Sequence, residues 1–112
     1  VKKIEAVVRL EKFEEVKEAL KNIGYPGMTV TRIEGHGKQK GLVQQFRGRE
    51  YKLELLPKIK IEVAVKDEDV SLFVETVVEA ARTGEVGDGK IFVIPVEEVV
   101  RIRTGEAGEV AV

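Results

Sequence analysis

The chain has 112 residues, 19 basic and 20 acidic, with no cysteine and a single histidine, His36. This is the length of one domain with a small core, for which oligomerisation is a reasonable expectation. The balanced charge argues against a nucleic-acid binder, the lack of cysteine excludes disulfides and thiolate metal sites, and one histidine excludes a multi-histidine zinc site within the chain.

In chain order, Ile4, Ala6, Val8 and Leu10 alternate as one face of a strand over residues 2–10. Phe13, Val16, Leu20 and Ile23 recur at helical spacing, and Gly24 is placed to end that helix. Alternation returns from Met28 to Glu34. Ile59, Ile61, Val63 and Val65 form the next strand, and Asp67 is the expected cap of a helix whose apolar stripe is Val70, Phe73, Val74, Val77 and Ala81, closed by Gly84. Residues 91–96 and 99–103 are short strand candidates, with Pro95 marking an edge or break. The order β-α-β, loop, β-α-β predicts a single α+β domain over residues 1–112. Its plan is ferredoxin-like, with one four-stranded antiparallel sheet and two helices on one face. A long protruding loop is expected at about 38–57 and a flexible tail at about 104–112. No apolar run approaches the ~20 residues of a membrane span, and no signal-peptide pattern is present, so a cytoplasmic protein is expected.

Two features carry chemistry. Thr83-Gly84-Glu85-Val86-Gly87-Asp88-Gly89-Lys90 can expose backbone N–H groups at a turn beside an ammonium, which suits a phosphate. Arg101 and Arg103 place two guanidinium groups on one face of a candidate strand. The loop also holds Phe46, Arg47, Arg49 and Tyr51, residue types at home in interface hot spots.

Gly27-Met28-Thr29-Val30-Thr31, the run from Gly35 to Gly41, Arg47-Gly48-x-Glu50-Tyr51, Leu56-Pro57-Lys58, Thr83-x-x-x-Gly87-Asp88-Gly89-Lys90-Ile91-Phe92 and Arg101-Ile102-Arg103-Thr104-Gly105 follow one another at a family's spacing. The chain resembles the PII nitrogen regulatory proteins from Lys2 to about Gly105, and in particular the ammonium-transporter-associated branch. The resemblance implies a homotrimer that binds ATP or ADP in clefts between subunits and, with Mg²⁺ and ATP present, 2-oxoglutarate. It implies a nucleotide site drawn from Thr29, Gly35, Gly37, Lys38, Gln39, Ala64, Gly87, Asp88, Gly89, Lys90, Arg101 and Arg103. Thr29 and the backbone near Ala64 would hold the adenine. Gly87 and Gly89 would bring N–H groups to the phosphates, with Lys90 and the two arginines as cations. The 2-oxoglutarate set is Gln39, Lys40, Gly41, Lys58 and Gly87, with Gln39 as metal ligand and Lys58 pairing the far carboxylate.

The long loop is then the partner-binding element, through Phe46, Arg47, Arg49 and Tyr51. Arg47 matches a residue that can enter an ammonium channel's exit, so an ammonium transporter is the expected partner, with reversible membrane association through it. Nitrogen-assimilation enzymes or regulators are further partners; nucleic acid is not. Tyr51 keeps the position of a modified tyrosine in altered surroundings, and Arg49 replaces a serine that some relatives phosphorylate. Two other classes stay open: an enzyme of phosphoryl transfer, against which no well-motivated base or nucleophile lies in the motifs, and a ferredoxin-like trimer that binds a small ligand without nucleotide.

Overall fold

A computed structural model describes residues 1–38, 45–46, 49–50 and 53–112, with side chains at 1–34 and 56–112. The expected order appears as β1 (Lys2–Arg9), α1 (Phe13–Asn22), β2 (Thr29–Lys38), β3 (Gln45–Phe46), β4 (Arg49–Glu50), β5 (Leu53–Val65), α2 (Val70–Ala81) and β6 (Gly89–Pro95). The main sheet runs β2-β5-β1-β6 and every pair in it is antiparallel. A separate two-stranded pairing joins β3 to β4. This is the ferredoxin-like double βαβ arrangement.

Period-two alternation puts Ile4, Ala6 and Val8 of β1 and Ile59, Ile61, Val63 and Val65 of β5 on one face. There they meet Val16 and Leu20 of α1 and Phe73, Val77 and Ala81 of α2 in a single buried cluster. Burying each of the larger side chains stabilises the fold by about 1.5–3 kcal/mol. The other face carries Lys3, Glu5, Val7 and Arg9 of β1 opposite Lys58, Lys60, Glu62 and Ala64 of β5, and neither helix covers it.

α1 ends as its sequence requires. Gly24 has φ +95°, its N–H donates to Lys21, and that of Tyr25 donates to Leu20. These two bonds satisfy carbonyls that the last turn would otherwise leave open. Tyr25 then joins the two halves. Its hydroxyl donates to Asp69 at 2.6 Å and accepts the Lys66 N–H at 3.3 Å, and its ring meets Phe73 edge-on with centroids 5.6 Å apart.

Several elements differ from expectation, including β6, which starts at Gly89 rather than Ile91. β2 continues past Gly35 to Lys38 and β5 begins at Leu53 rather than near Ile59, because the two strands stay paired from Ile33↔Lys58 out to Lys38↔Leu53. Asp67 does not cap α2: Asp67–Asp69 form a 3-10 turn, and no side-chain cap bond is made. Asp67 instead pairs with Lys2 at 3.5 Å, and Asp69 is engaged by Tyr25. Residues 99–103 are not a strand. Val100 makes one isolated bridge to Ala107, while Gly105 at φ +73° and its N–H bond to the Arg101 carbonyl turn the chain back. Within the expected tail, the end of the chain forms a 3-10 turn at Gly108–Ala111.

Tyr25→Phe deletes a hydroxyl that serves as donor and acceptor between the halves. Expected loss is about 1–3 kcal/mol, the combined worth of two bonds to half-buried partners, one of them a carboxylate, read as a lower denaturant midpoint with unchanged m at fixed protein concentration.

Candidate functional site

The segment after α2 is organised by one carboxylate. Asp88 accepts hydrogen bonds from the N–H groups of Thr83 and Gly84, each at 2.9 Å, and from the Thr83 hydroxyl. It also accepts the Arg9 Nε–H at 3.0 Å, while Arg9 Nη2 donates to the Val86 carbonyl at 2.9 Å. The Thr83 hydroxyl bond, reinforced by the Thr83 N–H and the Arg9 guanidinium against the opposing effect of burial, holds the Asp88 carboxyl well below the ordinary carboxylate range. Asp88, expected among the ligand-binding residues, therefore spends its acceptors within its own chain.

The glycines on either side have different constraints. Gly89 has φ +106° and pairs with Val8; a Cβ there would lie 2.8 Å from the Val7 carbonyl carbon and collide with its oxygen. Gly87 has φ +100°, and a Cβ would sit 3.4 Å from Arg9 Nη2 and 3.5 Å from Leu56 Cδ1. Its carbonyl accepts a hydrogen bond from Lys58 Nζ. Lys58 is only 6% exposed, the one buried charged residue among those described. Burial first, and the Arg9 charge second, lower its pKa from the ordinary lysine value. Arg9 and Lys58 are direct partners across β1 and β5. Like charges placed opposite each other destabilise a sheet; Asp88 and Glu11, which pair with Arg9 at 3.0 and 3.9 Å, oppose that repulsion and favour the Lys58 charge as well. Lys90 follows on β6, exposed, opposite Val7. Lys58 thus meets Gly87, and Gly89 and Lys90 follow at the start of β6. Arg9 was not anticipated, because its partners lie 77 and 79 positions away.

Thr29 and Ala64 lie elsewhere. They line a cavity of about 590 Å³ with Tyr25, Gly27, Glu62 and the terminal Val112. Thr29 pairs with Glu62, whose row continues through Glu5 to Phe92, whereas Gly89 belongs to the row of Val8, Ile59 and Arg32. Three strand spacings and three residues along the strands separate Thr29 from Gly89 by about 17 Å. Glu62 accepts from Lys3 at 2.9 Å and Lys60 at 3.2 Å, and these bonds, Lys3 first, lower its pKa.

Arg101 belongs to the second region. Its Nη2 donates to the Val110 carbonyl at 2.7 Å and its Nη1 to Glu106 at 3.3 Å, so it pins the terminal turn whose Ala111 and Val112 complete the cavity wall. Arg103 stands exposed beyond it. Gly35 and Gly37 are on β2 with Lys38 at its end. Gln39, Lys40, Gly41, Arg47 and Tyr51 lie outside the described residues, as do the side chains of Lys38, Phe46 and Arg49. Among the described residues no three histidine, aspartate or glutamate side chains gather as a metal site, and no helix is long and apolar enough to cross a membrane.

Comparison with known proteins settles the relationship. A family model described as nitrogen regulatory protein P-II matches residues 1–106. The chain belongs to the P-II family. It is 57% identical over 112 residues to nitrogen regulatory protein P-II 2 of Methanothermobacter thermautotrophicus, covering 100% of this chain and 97% of that one. It is 54% identical over 112 residues to the P-II protein of Microchaete diplosiphon, covering all of both chains. The P-II protein of Azospirillum brasilense is 56% identical over 108 residues, 96% of each chain. The ferredoxin-like fold and the family relationship read from the motifs are both borne out. This P-II chain is a nitrogen regulatory signal protein, and its relatives are regulators rather than named enzymes.

Asp88→Asn removes the charge that Arg9 and the Thr83–Gly84 amides hold. Because the folded pKa lies below the ordinary 3.8, its stabilisation is fully present above the unfolded carboxyl range and is lost as pH falls toward the folded pKa. The wild type should exceed the variant by about 1.5–3 kcal/mol at neutral pH, and the gap should shrink below pH ~4. Denaturation midpoints of both proteins across that range check the sign.

Proposed function

We propose that this P-II protein is a non-enzymatic sensor that binds ATP or ADP, and 2-oxoglutarate with Mg²⁺, at sites shared between chains of a homotrimer. Through its long loop it controls a partner, foremost an ammonium transporter to which it is reversibly recruited at the membrane from the cytoplasm. The observation that carries this reading is the pairing of buried Lys58 with Arg9 beneath the Gly87 carbonyl. Two like charges side by side at the root of the loop, their repulsion eased by Asp88 and Glu11, have a physical rationale when an anion occupies the site. A dicarboxylate reaching Lys58 relieves that repulsion, so ligand binding is linked to the geometry of the strands that lead into the loop.

The division of the nucleotide residues supports the shared site. Gly87, Gly89 and Lys90 lie on one region, and Thr29, Ala64 and Arg101 on another, with no lining residue common to the two cavities. Joining one chain's phosphate loop to its neighbour's Thr29–Ala64 pocket completes a site that neither closes alone. The uncovered sheet face supplies an assembly surface. In that site Gln39 would coordinate Mg²⁺ alongside phosphate oxygens, which is the ion's usual company, while Lys40 and Gly41 hold the near carboxylate. Lys38, Arg103 and the glycines at 35 and 37 complete the phosphate surroundings. Phe46, Arg47, Arg49 and Tyr51 present the partner-binding loop.

Two experiments test this. Lys90→Ala and Arg101→Ala chains, each unable to bind ATP by calorimetry, are unfolded, mixed and reassembled. Shared sites predict that about a quarter of the nucleotide sites return, since that fraction of neighbouring pairs combines two intact halves; no recovery would place the site within one chain. Separately, Gln39→Ala should keep part of its ATP affinity and lose the 2-oxoglutarate response, and an unchanged response would refute the metal-bridging role.

A further inference from the structure

We propose that Ile102 of one chain seats in the apolar cavity between α2 and β6 of a second copy, clamping the shared nucleotide site with a hydrophobic knob. The inference rests on the reading of a site shared between chains. Ile102 is 100% exposed, and Val100 and Val110 beside it are 52% and 55% exposed. Arg101 pins this apolar cluster to its own terminal turn through Glu106 and the Val110 carbonyl. A fixed group of aliphatic side chains facing water is the surface expected of a contact.

A matching recess exists. Val74, Val77, Val78 and Ala81 of α2 form the wall of a cavity of about 280 Å³, with Gly89 and Lys90 also lining it. Its lining is mainly aliphatic, and its size accepts a four-carbon branched side chain. Gly89 and Lys90 are also the residues at which phosphates are placed in the proposed site. A neighbour whose Arg101 and Arg103 reach those phosphates carries Ile102, one residue or about 3.8 Å from each along the chain, to the cavity. The contact is continuous with the proposed nucleotide seam, and its occupant is a second copy of this chain.

Charge makes the contact conditional. Lys90 on one copy and Arg103 on the other repel when brought together, and a polyphosphate between them turns the repulsion into attraction. Seating of Ile102 is therefore coupled to nucleotide occupancy.

The absence of cysteine from the chain gives a clean test. The Ile102→Cys, Val78→Cys double variant is oxidised with diamide, with and without ATP and Mg²⁺, and run on a non-reducing gel. Covalent dimers and trimers are expected, with a yield about tenfold higher in nucleotide, while either single variant runs as monomer. Light scattering on the same sample separates the two levels of the idea. Trimers without cross-links overturn the seating of Ile102 and leave the shared site standing, whereas a monomeric particle overturns both. Ile102→Asp, at a position exposed in the isolated chain, should retain the far-ultraviolet circular dichroism of the wild type and raise the ATP Kd about tenfold, with Ile102→Val within about twofold. Equal ATP affinity of Ile102→Asp and wild type would overturn the inference.

Discussion

The hydrogen-bonded ion pair between Arg9 and Asp88 is the constraint on which the loop over residues 83–90 and its surroundings depend. It ties the end of β1 to the loop that leads from α2 to β6, so the two βαβ halves are fixed at the point where chemistry is expected. The same carboxylate holds the Thr83 and Gly84 amides, and this fixes the path of the chain toward Gly87 and Gly89. It also screens Arg9 from Lys58. Charge-assisted hydrogen bonds contribute about 1.5–3 kcal/mol each, whereas a buried ion without a partner costs several kcal/mol. Asp88, with Glu11 at 3.9 Å from Arg9, thus makes two adjacent positive charges tolerable.

The antiparallel sheet then acts as a ruler. Its register puts Lys58 beside Arg9, Gly89 beside Val8 and Thr29 beside Glu62, and none of these positions can slip by one residue without turning every core side chain outward. The separation of Thr29 from Gly89 follows from this register. A ligand that needs both regions finds them on one chain only at opposite sheet edges, which is a geometric reason for association. Small domains bury a limited core, so the proposed assembly across the uncovered face would serve stability and site construction together.

Much of this was legible in the residues because it is local. The helical stripes, the alternation in β1 and β5 and the turn at Gly24 depend on near neighbours, and each appeared where the pattern put it. The family motifs located Gly87, Gly89, Lys90 and Lys58, and in the structure Lys58 meets Gly87. Arg9 was missed because nothing beside it in the chain marks it; its role arises only when Val86 and Asp88 fold back onto β1. The strand expected at 99–103 failed for a related reason. Val99, Arg101 and Arg103 alternate with Val100 and Ile102, but a strand needs a partner edge, and Arg101 is committed to Glu106 and Val110. Asp67 had the composition of a cap, but the 3-10 turn over Asp67–Asp69 leaves it two residues ahead of the N-cap position, where it makes no cap bond.

The unexpected length of β2 and β5 bears on how occupancy could reach a partner. Beyond Ile33↔Lys58 the two strands remain paired for five further residues, to Lys38↔Leu53, about 17 Å of ribbon at the usual strand rise. Paired strands without a covering layer twist more readily than those within a packed sheet. A change at Lys58, where the ribbon leaves the core, would be carried outward through this pairing. Gly35 and Gly37 lie on this ribbon, where a missing side chain reduces resistance to that twist. A charge-sensitive root and a hydrogen-bonded arm allow differential ligand affinity to select among arm orientations, by no more than that difference in affinity. Coupling of the proposed kind would lie in the strand pairing itself and would need no chain of side-chain contacts through the core.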